Sequence, residues 1–397
     1  MLRLLDDAVI TLGMSTLQRY RRALEVLLGI PATEGNQIDV LRNGVEIFPA
    51  MLEAIRDAQS TVDLTTYVYW TGDIADTFAD VLSERARAGV RCRVLLDAVG
   101  AYAMNRELVD RMQGAGCVLE RFRTPKRLRV WETNNRTHRK VLVCDEQVAF
   151  IGGVGIAQEW EGDARNPSEW RDTHFRVRGP AVDGLHASFV GNWAETGHPP
   201  FDDTDRFPEQ PQPGKAIVQV VNCPSQVGWS ELQTAYDTLF RLVERRLRIT
   251  SAYFVPDDTL RDQLCEVARR GVEVDVLVPG EHTDKRVVQI AGEADYAPLL
   301  EAGVRIWRYR PTMLHAKIIT VDDLVACVGS ANLDPRSLRQ NEEANLVVLD
   351  PDVVAVLDRH FAADLAQSDP VDPDRWADRG AVQRIKETAT ELLDEQL

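Results

Sequence analysis

Two short stretches hold residues able to do chemistry together. Thr137-His138-Arg139-Lys140 leads through Asp145 to Gly152-Gly153, and Leu314-His315-Ala316-Lys317 leads through Asp322 to Gly329-Ser330. In both, His, Lys and Asp stand at relative positions 0, +2 and +7, and a Gly-Gly or Gly-Ser pair at +14 and +15. Strand side chains alternate faces, so each His shares a side with the Lys two residues on. An ammonium, an imidazole and backbone left bare by glycine suit an oxyanion, above all a phosphate. The imidazole can act on it as nucleophile or as general acid. One His-x-Lys carries little weight, but two copies sharing five spaced positions carry far more.

The elements that must position these residues are legible around them. Val141-Leu142-Val143 and Ile318-Ile319-Thr320-Val321 are short apolar or β-branched runs. Each is followed by an Asp-led polar turn and a second apolar run, so each copy reads as a β-hairpin. A turn centred near Asp145 is expected to return Gly153 opposite His138, and one near Asp322 to return Ser330 opposite His315. Upstream, helical spacing over 48–58 and 76–87 alternates with strands at 62–70, 90–96 and 118–122. The order recurs downstream, with helices at 232–242 and 260–269 and strands at 247–254 and 272–278. Gly271 to Val278 matches Gly89 to Leu96, and Glu301 to Ile306 matches Gly114 to Leu119.

This is an internal duplication of about 180 residues. Alternating strands and helices imply α/β lobes. The expected fold is a pair of duplicated α/β/α lobes related by a pseudo-twofold axis, with one shared site between them. The expected division is 1–35 accessory helices, 36–196 first lobe, 197–215 a Pro-rich acidic linker, 216–368 second lobe and 369–397 an acidic tail.

Composition narrows the function. The 397 residues are 44% hydrophobic and 27% charged, which describes a globular chain. The net charge of −16 argues against coating nucleic acid or clinging to an anionic membrane by charge alone. A local exception runs from Arg121 to Lys140, with eight basic residues and the single acid Glu132; it reads as a solvated face or as a funnel for an anion. Six cysteines without close pairing read as free thiols of a reducing compartment. No run of eighteen apolar residues occurs, so no transmembrane helix is expected.

Two His and two Lys around a phosphodiester suit double displacement. One His attacks phosphorus; the other protonates the leaving alkoxide and then deprotonates the incoming hydroxyl. The two ammonium groups stabilise the equatorial oxygens and would repel a metal ion, and no cofactor is implied. Each His needs a partner on its second nitrogen. Asp172 and Glu343, in corresponding places after the two hairpins, are the expected partners.

The paired His-x-Lys-x₄-Asp-x₆-Gly-Gly/Ser motifs resemble the phospholipase D superfamily. More narrowly, the chain resembles bacterial cardiolipin synthases and their soluble relatives. Supporting stretches are Trp170-Arg171-Asp172-Thr173-His174, Tyr253-Phe254-Val255-Pro256 and Gly329-Ser330-Ala331-Asn332-Leu333-Asp334-Pro335-Arg336-Ser337. The resemblance covers roughly residues 36–368. It implies a phosphohistidine intermediate and phosphatidyl transfer, with His138 as nucleophile and His315 as general acid/base. It also implies catalytic parts for Lys140, Asp145, Lys317 and Asp322, and phosphate contacts from Gly153, Ser330 and Asn332. The chain departs from the pattern at Gly155, where the first motif usually has the Asn kept at 332. The expected partner is a phospholipid such as phosphatidylglycerol, met at the inner membrane face by a cytoplasmic monomer. Trp131, Trp160, Trp170 and Trp193 read as lipid access or as core. Hydrolysis by water stays open beside transfer, as do a nuclease and a non-catalytic binding relative.

Overall fold

Short apolar strands and amphipathic helices assemble into two matching halves in the computed structural model, which describes residues 15–124, 135–224 and 230–377. The first half holds β1 (Thr33–Arg42), β2 (Thr61–Thr66), β3 (Arg91–Asp97), β4 (Val118–Phe122), β5 (Val141–Cys144), β6 (Val148–Gly152) and β7 (Thr173–Arg178). The second holds β8 (Ala216–Cys223), β9 (Arg246–Thr250), β10 (Glu273–Pro279), β11 (Arg305–Tyr309), β12 (Ile318–Val321), β13 (Val325–Gly329) and β14 (Glu343–Leu349), with β15 (Ser368–Pro370) at its edge.

One sheet takes all of them, in the order β15-β11-β10-β9-β12-β13-β14-β8-β1-β7-β6-β5-β2-β3-β4. Outward from the β8–β1 junction the two arms run in the same order, which is the pseudo-twofold relation in topological form. β2, β3 and β4 are parallel, as are β9, β10 and β11. Helices Asp73–Arg87 and Arg106–Ala115 make the crossovers of the first arm, and Asp258–Arg269 makes the β9–β10 crossover of the second. Sequence periodicity misses β8, although Ala216 to Cys223 is an apolar strand-like run. It also misses helices Arg286–Ala294 and Tyr296–Glu301.

Alternation along the hairpin strands divides the core. Leu142, Cys144 and Phe150 face the outer helices of the first half, whereas Val141, Val143, Ala149 and Ile151 face the second half. There they join Ala326, Val328, Leu346 and Val348, with residues of helices Ala181–Glu195 and Pro351–Leu365. The halves therefore share a dry core, which holds their two hairpins in fixed relation.

The hairpin register differs by one from the expected register. Val141 pairs with Ile151 and Ile318 with Val328. Both turns have three residues, led by Asp145 and Glu146 (φ 51° and 56°) and by Asp322 and Asp323 (φ 51° and 61°). The extra turn residue moves the return strand by one, so Gly153 does not oppose His138 and Ser330 does not oppose His315.

Three flanking segments are tied into the halves. Helix Thr16–Leu28 puts Tyr20 and Leu24 into the core of the second half. Residues 368–377 continue that half, since β15 pairs with β11 and Trp376 packs on Tyr296. The Pro-rich linker after Gly197 is strapped to the first half. Arg91 holds its Asp202 and Asp205 at 2.8 and 2.6 Å, and Glu146 accepts from the backbone N–H of Arg206 and Phe207. Residues 1–14, the middle of the basic run (125–134, with Trp131), residues 225–229 and the tail past 377 lie outside the described residues. Among the described residues no helix is long and apolar enough to cross a membrane.

Candidate active site

Each His stands just before its hairpin and is delivered to the other half. Thr137 forms a parallel bridge with Glu342, and Leu314 forms one with Arg171. The His138 N–H donates to the Glu342 carbonyl at 2.9 Å, and the His315 N–H donates to that of Arg171 at 2.7 Å. The residue before each His thus pairs with the residue before the opposite carboxylate.

As a result the His–carboxylate pairs are crossed. His138 Nδ1 donates to Glu343 at 2.9 Å, and His315 Nδ1 donates to Asp172 at 2.9 Å. Each bond commits Nδ1 to carrying hydrogen and leaves the Nε2 lone pair for chemistry. The carboxylates are themselves held. Ser330 Oγ donates to Glu343 at 2.5 Å. Trp160 Nε1 and the Thr173 N–H donate to Asp172 at 2.9 and 2.8 Å. Behind Asp172, Arg171 donates to its carbonyl and is paired with buried Asp364 of helix Pro351–Leu365 at 2.8 Å.

Both lysines join the histidines. Lys140 Nζ donates to the His138 carbonyl at 2.8 Å, and Lys317 Nζ donates to that of His315 while lying 3.1–3.3 Å from its ring nitrogens. All four groups are buried. Burial, then the neighbouring ammonium charges against the pull of Glu343, brings His138 down to about 4. Burial and Lys317 bring His315 down to about 4. Burial also lowers Lys140 to about 7 and Lys317 to about 8. Burial alone would raise Asp172 and Glu343, but their histidine and lysine neighbours outweigh it and hold both below the usual range. The site is thus a desolvated cluster of suppressed positive charge, which an anion would restore.

Not every expected site residue comes here. Asp145 and Asp322 sit at the far ends of their hairpins. Asp145 accepts from the backbone N–H groups of Gln59, Ser60 and Thr61 at 2.7–2.9 Å. Asp322 accepts from those of Glu244, Arg245 and Arg246 and from the Tyr20 hydroxyl. Both fasten a turn to the neighbouring strand, which corrects the expectation that they act in catalysis. Ser330 is committed to Glu343, so it supports the carboxylate where a phosphate contact was expected. Gly153 is packed between Asp172 of its own half and the opposite half: a Cβ there would lie 2.6 Å from Asp172 and 2.9 Å from the His315 carbonyl. Asn332 is buried in the second half, and its Oδ1 accepts no hydrogen bond among the described residues.

At Gly155 the departure has a steric reason. A Cβ would come within 2.6 Å of Val68 and 3.1 Å of the Trp160 ring, so Val68 and Trp160 occupy the room that an Asn would need. Trp160 and Trp170 contact the His315 ring at 5.2 and 5.4 Å, whereas Trp193 stacks on Phe189 in the core. Sequence reading gave no site role to Tyr67, edge-on to His138 at 5.1 Å, nor to Tyr253, which it noted only within a supporting stretch and which stands edge-on to His315 at 6.4 Å. Both follow the strands that flank the hairpins, a positional signal available in the sequence. The funnel expected of the basic run is partly spent on structure. Arg136 pairs with buried Asp97 at 3.0 Å, Arg123 pairs with Glu195 and Glu342, and Arg139 is buried against Asn192.

Duplicated α/β lobes that share one site, each giving a His-x-Lys and a carboxylate for the other's His, define the phospholipase D class of fold. The family model described as cardiolipin synthase, PLD-like domain matches residues 51–160 and 239–365, and the chain belongs to that family. A cardiolipin synthase of Geobacillus kaustophilus is 33% identical over 97% of this chain and 78% of its own length. A probable cardiolipin synthase of Bacillus subtilis is 31% identical over 90% of this chain and 72% of its own. Among solved structures, the phosphatidylserine synthase of Haemophilus influenzae superposes with a TM-score of 0.68 at 16% identity. That match covers 96% of this chain and all of the other, and shows a shared fold.

Proposed function

We propose that the protein is a phosphatidyltransferase that joins two phosphatidylglycerol molecules into cardiolipin and glycerol at a membrane surface. The observation that carries this reading is the crossed pair of His–carboxylate dyads, each with Nε2 left for chemistry and a lysine beside it. Family membership and the named relatives supply the lipid.

Burial keeps His138 neutral, so its Nε2 is a nucleophile at neutral pH. It attacks the phosphorus of the donor lipid, the P–N bond forms, and the bond to the glycerol oxygen breaks. The arriving phosphodiester charge restores the proton that burial and Lys317 take from His315, and His315 gives it to the leaving oxygen. A hydroxyl of the second lipid then returns a proton to His315 and attacks phosphorus, and the P–N bond breaks. Lys140 and Lys317 take the charge on the equatorial oxygens.

The test incubates the protein with phosphatidylglycerol vesicles and identifies the products. Cardiolipin with glycerol is expected, and phosphatidic acid as the main product would make the protein a hydrolase. His138→Asn should abolish product formation; full activity in that variant would sink the assignment of the nucleophile.

A further inference from the structure

The two histidines sit in unlike surroundings. Trp160, Trp170 and Tyr253 wall the ring of His315, whereas the ring contact of His138 among the described residues is with Tyr67. The pseudo-twofold axis breaks at Tyr253. Thr66 Oγ1 donates to the Val68 carbonyl at 2.9 Å, and Ser251 Oγ donates to that of Tyr253 at 2.6 Å, so Val68 holds the place that Tyr253 holds in the second half.

Tyr253 is pinned. Its hydroxyl donates to Asp284 at 2.7 Å, and the Lys285 ammonium stands 5.2 Å from its ring centroid. Lys285 is exposed and forms no ion pair among the described residues, while its acidic neighbour Asp284 is engaged by the phenol. One ring thus links the imidazole of His315 to an exposed cation outside the motif, whereas the Tyr67 ring beside His138 meets the buried motif lysine Lys140 at 5.5 Å.

We propose that Trp170, Tyr253 and Lys285 form the subsite for the accepting lipid, a glycerol that itself carries a phosphodiester. This rests on the transferase reading. The accepting hydroxyl must sit at His315. Its three-carbon backbone then runs along the Tyr253 ring with C–H groups against the aromatic face. The acceptor's own phosphate, at the far end of that backbone, meets the Lys285 ammonium. The same subsite favours an anionic lipid over a neutral alcohol as the group that resolves the phosphohistidine.

The test uses the full chain, phosphatidylglycerol vesicles and labelled glycerol. Phosphatidyl-His138 then has two acceptors: the anionic lipid, which gives cardiolipin, and neutral glycerol, which gives labelled phosphatidylglycerol. Lys285→Gln should lower the ratio of cardiolipin to labelled lipid about tenfold, and Lys285→Arg should keep it near the wild-type value. Partial misfolding or weaker vesicle binding reduces both products together and leaves the ratio alone. A wild-type ratio in Lys285→Gln overturns the subsite, as does a Lys285→Arg ratio equal to that of Lys285→Gln. A wild-type protein that forms neither product overturns the transferase reading and the subsite with it.

Discussion

His138 owes its chemistry to an atom 205 residues away, the Glu343 carboxylate that fixes which ring nitrogen carries hydrogen. Glu343→Gln keeps the shape and loses the charge. We expect kcat to fall by about 10²–10⁴ with a smaller change in melting temperature, because an amide neither stabilises the imidazolium nor enforces one tautomer. A variant within threefold of wild type would show that His138 does not depend on its carboxylate. Gly155 answers a different question. Gly155→Asn restores the residue usual in the motif but drives it into Val68 and Trp160. We expect a loss of about 1–3 kcal/mol in a denaturant titration and no gain in rate.

The hairpins act as levers that carry an imidazole at one end and an aspartate at the other. Asp145 accepts three backbone hydrogen bonds from the turn that opens β2, and Asp322 does the same for the turn before β9. Asp145→Ala leaves those donors unmet and should cost about 1–3 kcal/mol of stability. Turnover of the remaining folded protein should stay near wild type. A large fall in kcat at unchanged stability would return Asp145 to the catalytic group. Helix Pro351–Leu365 works in the same way on the other histidine, since its Asp364 neutralises Arg171, which in turn holds Asp172. Asp364→Ala strands a buried guanidinium and should cost about 3–5 kcal/mol.

The folded molecule encloses four basic groups whose protons it disfavours. Between about pH 7 and the ordinary lysine value of 10.5, the folded chain binds fewer protons at Lys140 than the unfolded chain, and Lys317 behaves alike from about 8. From this source stability rises with pH across that window. The histidines, down at about 4, add a second rise between there and 6.5. An oxyanion reverses the effect, because it favours the charged lysines and so binds together with protons. Calorimetry should find phosphate or vanadate binding at least about tenfold weaker at pH 9 than at pH 6.5, with proton uptake from the buffer. Affinity that stays flat over that range would contradict a site built on suppressed positive charge.

The parts were legible in the order of residues. The spacing His138 to Gly153, repeated from His315 to Ser330, exposed the duplication, the phosphate chemistry and the four basic groups. Asp172 and Glu343 followed from their corresponding places after the two hairpins. Strand and helix order was legible because period-2 and period-3.6 patterns are local properties. Tertiary structure decided which part serves which. The crossed dyads depend on β1 meeting β8, a contact no local pattern encodes, and on bridges at Thr137 and Leu314 that tie each His to the opposite half. A three-residue turn moved Ser330 off His315 and placed its hydroxyl on Glu343. Asp145 and Asp322 share the motif with the histidines but lie at the other end of a strand, where spacing in sequence becomes distance in space. Lys285 belongs to no repeat, and only the folded chain stands it over Tyr253; for Trp160, which the sequence left between lipid access and core, the folded chain packs its indole against Asp172.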